Sequence, residues 1–362
     1  MAKRKVLVTG ASGLVGSGAV RHFAKREGWE VTGVSRRLPL PIEGANLISV
    51  DLLDRKQCEE IFGQMADVTD VVFAALNEKP GLFEGWQDRG QMEINLAMLR
   101  NTLDPLEVVA KNLNHVSLLQ GTKAYGVHLG PIATPARERS ARHPHENFYF
   151  LQEDFLRARQ QGKRWYWTVW RPQLVIGEAI GANLNVLPPL GVFAALKREA
   201  GLQLSFPGGE PFVFEMVDTD LLARAFEWAA GAPNARNQIF NVTNGDVFVW
   251  QELWPTVADA FGMRVGPHQP TSIAQELLHH AEQWATIVNK YSLAAPADLK
   301  TFLGESIAMI DFALGCGMSN RMPILVSTIK LRQAGFHDCV DTEDMLRKWI
   351  KRYQDARLLP PI

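Results

Sequence analysis

Thr9-Gly10-Ala11-Ser12-Gly13-Leu14-Val15-Gly16, lying directly after the first β-branched run of the chain, decides how the remainder is read. Three glycines recur at every third position, with a strand-like segment, Lys5 to Thr9, in front and an amphipathic stretch, Leu14 to Arg26, behind. A glycine turn between a strand and a helix lets the backbone bend tightly and approach a pyrophosphate. The pyrophosphate charge then rests on the unpaired amides of the first helical turn. Gly10, Ser12, Gly13, Leu14, Val15 and Gly16 are therefore the expected phosphate-binding residues of a dinucleotide site.

Outward from this turn, short β-branched runs alternate with longer amphipathic ones, which predicts an α/β fold with a doubly wound parallel sheet. The expected strands are Lys5–Thr9, Glu30–Val34, Asn46–Val50, Asp70–Ala75, His115–Leu119 and Trp165–Trp170, with a second clear helix over Gln87–Lys111. After Gly177 the texture changes, because Pro188-Pro189, Pro207-Gly208-Gly209 and Gly231-Ala232-Pro233 cut the chain into shorter pieces. This places a dinucleotide-binding domain over residues 1–178 and a smaller, mostly helical substrate lobe over 179–362. The two are expected to be partly intertwined, with some segments returning to the first sheet. Phe193, Phe206, Phe212 and Phe214 give the lobe an apolar character suited to an apolar substrate.

Charge and cysteine content remove several function classes. Among 362 residues, 38 Lys and Arg face 39 Asp and Glu, so no basic surplus exists to neutralise nucleic acid or an anionic membrane. No apolar run reaches the roughly 18 to 20 residues of a membrane helix. Cys58, Cys316 and Cys339 are scattered, which argues against a disulfide framework or zinc site and for a reducing cytoplasm. No metal is expected, and His143 and His145, flanking Pro144, read as solvated loop residues.

The end of the second strand selects the dinucleotide. An acid there would bind a ribose diol and repel a 2'-phosphate, but the chain reads Ser35-Arg36-Arg37. Two guanidinium groups beside a hydroxyl form a charge-assisted phosphate site, which favours NADPH. Topology then puts Asp51 and Leu52 beside the adenine and Ala75 and Leu76 along the dinucleotide path, and Tyr149 and Val175 are also expected to bind the cofactor.

Short-chain dehydrogenases ordinarily carry Tyr-x-x-x-Lys on one helix, stacking phenol and ammonium on the same face. The lysine there lowers the phenol's pKa so that it can exchange a proton with a carbonyl oxygen. Here the corresponding stretch is Asn147-Phe148-Tyr149-Phe150-Leu151-Gln152-Glu153-Asp154, and the residue four beyond Tyr149 is an acid. If Tyr149 is catalytic, its cation must come from elsewhere. Lys123, in Gln120-Gly121-Thr122-Lys123-Ala124-Tyr125-Gly126, stands just past the fifth strand, at the sheet edge where such folds bind ligands. Tyr125 is a competing phenol on the same loop.

These residues resemble the progesterone 5β-reductase and iridoid synthase-like short-chain reductases. The resemblance rests on Gly121-Thr122-Lys123-x-Tyr125, Asn147-Phe148-Tyr149 with Glu153-Asp154, Arg171-Pro172, and the run Phe240-Asn241-Val242-Thr243-Asn244-Gly245-Asp246-Val247-Phe248. It covers essentially the whole chain. Ala124 departs from the pattern where plant members commonly have His, and Leu119 stands where a cofactor-contacting Gln is usual. The resemblance implies an extended-type Rossmann fold, a homodimer and NADPH-dependent 1,4-reduction of an enone. Tyr149 and Lys123 would act as the catalytic pair, with hydride added to the β-carbon. Three other readings stay open: a 1,2-carbonyl reductase, an NAD-dependent nucleotide-sugar epimerase or dehydratase, and a non-catalytic NADP(H)-sensing protein.

Overall fold

Val6, Leu7 and Val8 of the first strand and Val71, Val72 and Phe73 of the fourth are all buried, as strands covered by helices on both faces require. A computed structural model describes residues 3–79, 85–319 and 321–362. Its strands are β1 (Arg4–Thr9), β2 (Trp29–Ser35), β3 (Ala45–Ser49), β4 (Asp70–Phe73), β5 (His115–Leu119), β6 (Tyr166–Pro172), β7 (Leu174–Ile176), β8 (Val213–Phe214), β9 (Met216–Asp218), β10 (Gln238–Val242) and β11 (Phe248–Val249). Seven of them form one parallel sheet in the order β10-β6-β5-β4-β1-β2-β3. From β1 the order runs one way to β2 and β3 and the other way to β4. The carboxyl ends of β1 and β4 therefore flank the switch point where open α/β sheets bind ligands.

Helix α1 (Leu14–Ala24) follows the glycine turn, α2 (Arg55–Phe62) follows β3, and α3 (Arg89–Val109) and α4 (Phe148–Gln160) follow β4 and β5. Leu99, Leu103 and Leu106 of α3 and Leu156 of α4 pack with Leu7, Val71, Val116 and Val169 of the sheet in one core. Six strands are expected from the alternation; the seventh, β10, is found where the sequence offers a motif, Phe240-Asn241-Val242. Its register on β6, with Phe240 opposite Trp170, explains why an Asn-containing run sits in a sheet. Asn241 Nδ2 donates to the carbonyls of Ala136 and Ser327, at 3.1 and 3.2 Å, so its buried amide is satisfied.

The chain divides into two compact units. The first comprises Met1–Gln173, Thr219–Val242 and Val326–Asp338, and holds the parallel sheet; its continuous part ends five residues before the boundary read from sequence. The second comprises Leu174–Asp218, Thr243–Leu325 and Cys339–Ile362. It is mainly helical, with β7 paired to β9 and β8 to β11. Trp250, Trp254, Trp284 and Trp349 anchor it, and each indole donates to a fixed acceptor: the carbonyls of Ala313, Leu204 and Pro296 and the Asp218 carboxylate. Phe193, Phe206, Phe212 and Phe214 are buried within this packing. Asp246 accepts from the Thr342 amide at 2.9 Å and Asn244 Oδ1 from the Asp218 amide at 2.8 Å, so the Asn-Gly-Asp run pins distant segments together. No described helix is long and apolar enough to cross a membrane.

The glycine turn is the most tightly constrained part of the first unit. A Cβ on Gly16 would lie 2.1 Å from the Gly10 carbonyl oxygen, a backbone atom that cannot swing aside. Gly16→Ala is therefore expected to destabilise the chain by about 1–3 kcal/mol, the usual cost of overpacking. A thermal melt checks this, and an unchanged melting temperature would contradict the close approach.

Candidate active site

Gly10 sits at φ +72°, where L side chains are strained, and a Cβ there would meet the Ala74 carbonyl oxygen at 2.7 Å and Ala75 Cα at 2.9 Å. The turn after β1 is thus laid directly against the turn after β4. Helix α1 begins at Leu14 with no side-chain cap and no acid in its first turn, so no side chain competes there for an anion. A backbone turn packed this closely, leading into an uncapped helix start, suits a pyrophosphate.

At the end of β2, Ser35 Oγ donates to the Arg37 carbonyl at 2.6 Å and Ser49 Oγ to the Arg36 carbonyl at 3.0 Å. These bonds fix the backbone of both arginines while their side chains lie exposed. Asp51 Oδ1 accepts from the Leu53 amide at 3.0 Å, shaping the turn before α2. Leu52 is buried in the core and its carbonyl accepts from Asn101. The Ala75 amide donates to Thr9 Oγ1, and Leu76 is exposed beyond it. Val175 lies on β7 in the second unit.

Lys123 and Tyr149 come together. Lys123 stands in the short 3-10 turn Thr122–Tyr125 that β5 leads into, and Tyr149 in the first turn of α4. Lys123 Nζ lies 5.7 Å from the centroid of the Tyr149 ring, 6.0 Å from that of Phe148 and 3.9 Å from that of Trp86. Asn147, the N-cap of α4, ties the two segments: its Oδ1 accepts from the Tyr149 amide at 3.0 Å while its Nδ2 donates to the Lys123 carbonyl at 3.3 Å. Gly121 leaves room for the phenol, since a Cβ there would stand 3.3 Å from Tyr149 Oη.

The electrostatics of the pair follow from burial. Removal from water lowers the Lys123 ammonium from 10.5 to about 8, against the pull of Glu78. Burial, and then the negative charge of Glu78, push the Tyr149 phenol well above its ordinary range, against Arg171. This differs from the phenol of the ordinary Tyr-x-x-x-Lys pair, whose pKa the lysine depresses. The group here stays protonated and is suited to donating a hydrogen bond rather than to ionising.

Glu153, in the place of the usual lysine, is a buried carboxylate gathered by three arginines: Arg142 and Arg157 at 2.9 Å and Arg171 at 3.3 Å. Burial would raise it, but Arg142, Arg171 and Arg157 hold it below the ordinary carboxylate range. Gln120 links this cluster to the site, accepting from Arg171 Nε at 3.0 Å and donating to the Tyr149 carbonyl at 2.9 Å. Glu153 thus secures α4 from behind, and the competing phenol is taken up by the same frame. Tyr125 donates to Asn241 Oδ1 at 2.6 Å and lies under the Arg171 guanidinium.

His143 and His145 are half-buried rather than solvated, and correct the expectation from sequence. Their Nδ1 atoms lie 2.9 Å apart, the His145 ring packs on those of His128 and Phe150, and His128 packs on Trp86. Burial first, then the charges of His145, Lys123 and His143, lower His128 to about 4, so it is neutral at pH 7. The sequence reading also missed Glu78 and Trp86. Glu78 Oε1 lies 3.4 Å from Lys123 Nζ and accepts from Trp86 Nε1 at 2.9 Å. One signal was available: an acid five residues beyond β4, at the carboxyl edge of the sheet.

Known proteins resemble this chain in sequence and in fold. The profile of PRISE-like Rossmann-fold domains matches residues 46–304. The chain is 29% identical to an (S)-8-oxocitronellyl enol synthase of Antirrhinum majus, over 98% of this chain and 92% of that one. It is 32% identical to a 3-oxo-Delta(4,5)-steroid 5-beta-reductase of Arabidopsis thaliana, over 71% and 69% respectively. In fold it is similar to a UDP-glucose 4-epimerase, with a TM-score of 0.68 and 14% identity over 99% of this chain and 100% of that one. A second such likeness is to the Bordetella bronchiseptica enzyme WbmH bound to NAD+, with a TM-score of 0.63 and 18% identity over 98% and 99%. The chain belongs to the PRISE-like Rossmann-fold family and is an oxidoreductase of the short-chain type.

Proposed function

We propose that this protein is an NADPH-dependent reductase of C=C bonds conjugated to a carbonyl. The observation that carries the reading is the buried Lys123 ammonium set 5.7 Å from the ring of a phenol that burial keeps protonated. The names of the two plant relatives support the reductase class, as an enol synthase and a steroid 5-beta-reductase. Lysine and tyrosine come from different segments, which the Asn147 side chain fixes relative to one another.

The cradle of Gly10, Ser12, Gly13, Leu14, Val15 and Gly16 would hold the pyrophosphate, and Arg36 and Arg37 with Ser35 the 2'-phosphate. Asp51 and Leu52 would stand by the adenine, and Ala75, Leu76 and Tyr149 along the remaining path. NADPH bound there supplies the hydride for the β-carbon. Tyr149 donates a hydrogen bond to the carbonyl oxygen of the substrate, where negative charge builds as the enolate forms. Lys123 keeps positive charge next to that oxygen. Fixed donors aimed at developing charge need no reorganisation, and this is often the largest catalytic contribution. Three free cysteines fit a reducing cytoplasm, and the family resemblance carries the proposal of a homodimer.

Cofactor choice is checked by titrating NADPH and NADH into the wild type and Arg36→Ala. The wild type is expected to prefer NADPH, and the variant to lose most of that preference; equal wild-type affinities would contradict the phosphate site. Chemistry is checked with 2-cyclohexen-1-one, following NADPH consumption and identifying the product. The saturated ketone is expected, whereas the allylic alcohol would establish the 1,2-carbonyl reductase in its place. Tyr149→Phe and Lys123→Ala should each bind NADPH yet lose about a hundredfold or more in kcat, the effect of removing one oxyanion donor. Unchanged turnover in both would remove them from catalysis.

A further inference from the structure

We infer that Glu78 is the positioning residue of this site: its carboxylate fixes Lys123 Nζ and keeps that amine charged inside an aromatic enclosure. The inference takes its catalytic meaning from the reductase reading, but the ion pair itself can be read without turnover.

The Glu78 side chain is almost wholly shielded, as is that of Lys123, so the pair at 3.4 Å lies where an isolated charge of either sign would be costly. The carboxylate is held from several directions. Trp86 Nε1 donates to the same Oε1 that faces the amine, at 2.9 Å. The backbone on either side of Glu78 is clamped to α3: the Asn77 amide donates to Asn95 Oδ1 at 2.9 Å and the Lys79 amide to Gln91 Oε1 at 2.7 Å. Asn95 and Gln91 are themselves buried, four apart on one helix face, and Asn95 Nδ2 returns a bond to the Asn77 carbonyl at 2.8 Å. Such an investment in fixing three consecutive residues has no need in a surface loop.

The groups facing the amine leave Glu78 as its counter-charge. From α4 come the rings of Phe148 and Tyr149, and the latter is a neutral phenol. From the loop after the 3-10 turn comes His128, neutral at pH 7, with His143 and His145 behind it. Arg171 acts on Tyr149, and its charge is met by Glu153. Among the described residues Glu78 is the one anion whose field raises Lys123, opposing the burial that lowers it. An acid this close to a reacting oxygen would oppose enolate formation if it faced that oxygen alone. With the ammonium bound to it, the acid instead sets where the positive charge stands.

Glu78→Gln keeps the shape and removes the charge. Two measurements read the result: the pH dependence of kcat/KM with NADPH and 2-cyclohexen-1-one, and the pH dependence of Lys123 acetylation by trace acetic anhydride, quantified by mass spectrometry. In the wild type the ammonium is present below about pH 8 and lost above it, so activity should fall and labelling rise through that value. In Glu78→Gln both midpoints should move down by about one pH unit or more, which at pH 8 means about a fivefold smaller charged fraction. Glu78→Asp should recover part of the shift, which a merely structural role would not produce. Coincident midpoints in wild type and Glu78→Gln would overturn the inference. Should Glu78→Gln fail to fold, Glu78→Asp, which keeps the acid but draws it back from Lys123 Nζ, decides in its place: lowered midpoints support the inference and unmoved ones overturn it. If the wild type consumes no NADPH with enones, the reductase reading falls, and the labelling arm still decides the role of Glu78.

Discussion

Lys123 carries its charge into a space lined by Trp86, Phe148 and Tyr149, where an ammonium without partners costs several kcal/mol. Its fall from 10.5 to about 8 corresponds to about 3 kcal/mol favouring the neutral amine, with the help of Glu78 already included. The face of the Trp86 indole, 3.9 Å away, contributes up to about 2 kcal/mol to a desolvated cation. The balance leaves the amine charged at neutral pH by a narrow margin. Several features of the first unit serve that margin: the 3-10 turn that presents the lysine, the Asn147 cap that joins this turn to α4, and the segment after β4 that brings Glu78 and Trp86.

The same constraint explains the acid at position 153. On an ordinary short-chain dehydrogenase helix the cation is one turn beyond the phenol, and the two side chains hold each other. Once the cation comes from the loop after β5, a second one on α4 would repel it, and the position is free for another use. Glu153 takes three arginines, one from α4 itself, one from the loop before it and one from β6, and so fastens the helix that carries Tyr149. Arg171 is the shared element. It bonds Gln120 as well as Glu153, and Gln120 holds the Tyr149 carbonyl, so sheet, loop and helix are locked by one buried polar network. Fold likeness to sugar-nucleotide epimerases says nothing about this arrangement, because the scaffold is common to many chemistries and the site is not.

Much of this was legible in the chain because local rules governed it. The glycine turn is read directly, since the contacts at Gly10 and Gly16 admit no side chain, and the β-branched runs map onto β1 to β6 within a few residues. The juxtaposition of Lys123 with Tyr149 was anticipated by elimination, once Glu153 had closed the usual position. What stayed hidden depended on long-range packing. Strand β10 carries Asn241, whose amide is tolerated only because Ala136 and Ser327, far away in sequence, accept from it. His143 and His145 look solvated until His128, itself packed on Trp86, is folded against His145. Glu78 has no neighbouring motif at all, and its meaning appears only when Lys123, 45 residues away, is brought alongside.

A neutral phenol and a buried ammonium divide the work differently from a phenolate and a lysine. A group that must ionise needs a depressed pKa, and the surroundings of Tyr149 do the opposite. What this environment favours is a donor that keeps its proton while charge gathers on the oxygen in front of it. In enone 1,4-addition the charge rests on an enolate oxygen and the proton is finally taken by carbon, so the phenol need never give its own away. In 1,2-reduction the oxygen itself must be protonated, so the phenol would have to pass on its proton and be recharged in each turnover. The direction of this shift therefore suits the proton-keeping donor that Tyr149 would be in the proposed 1,4-addition.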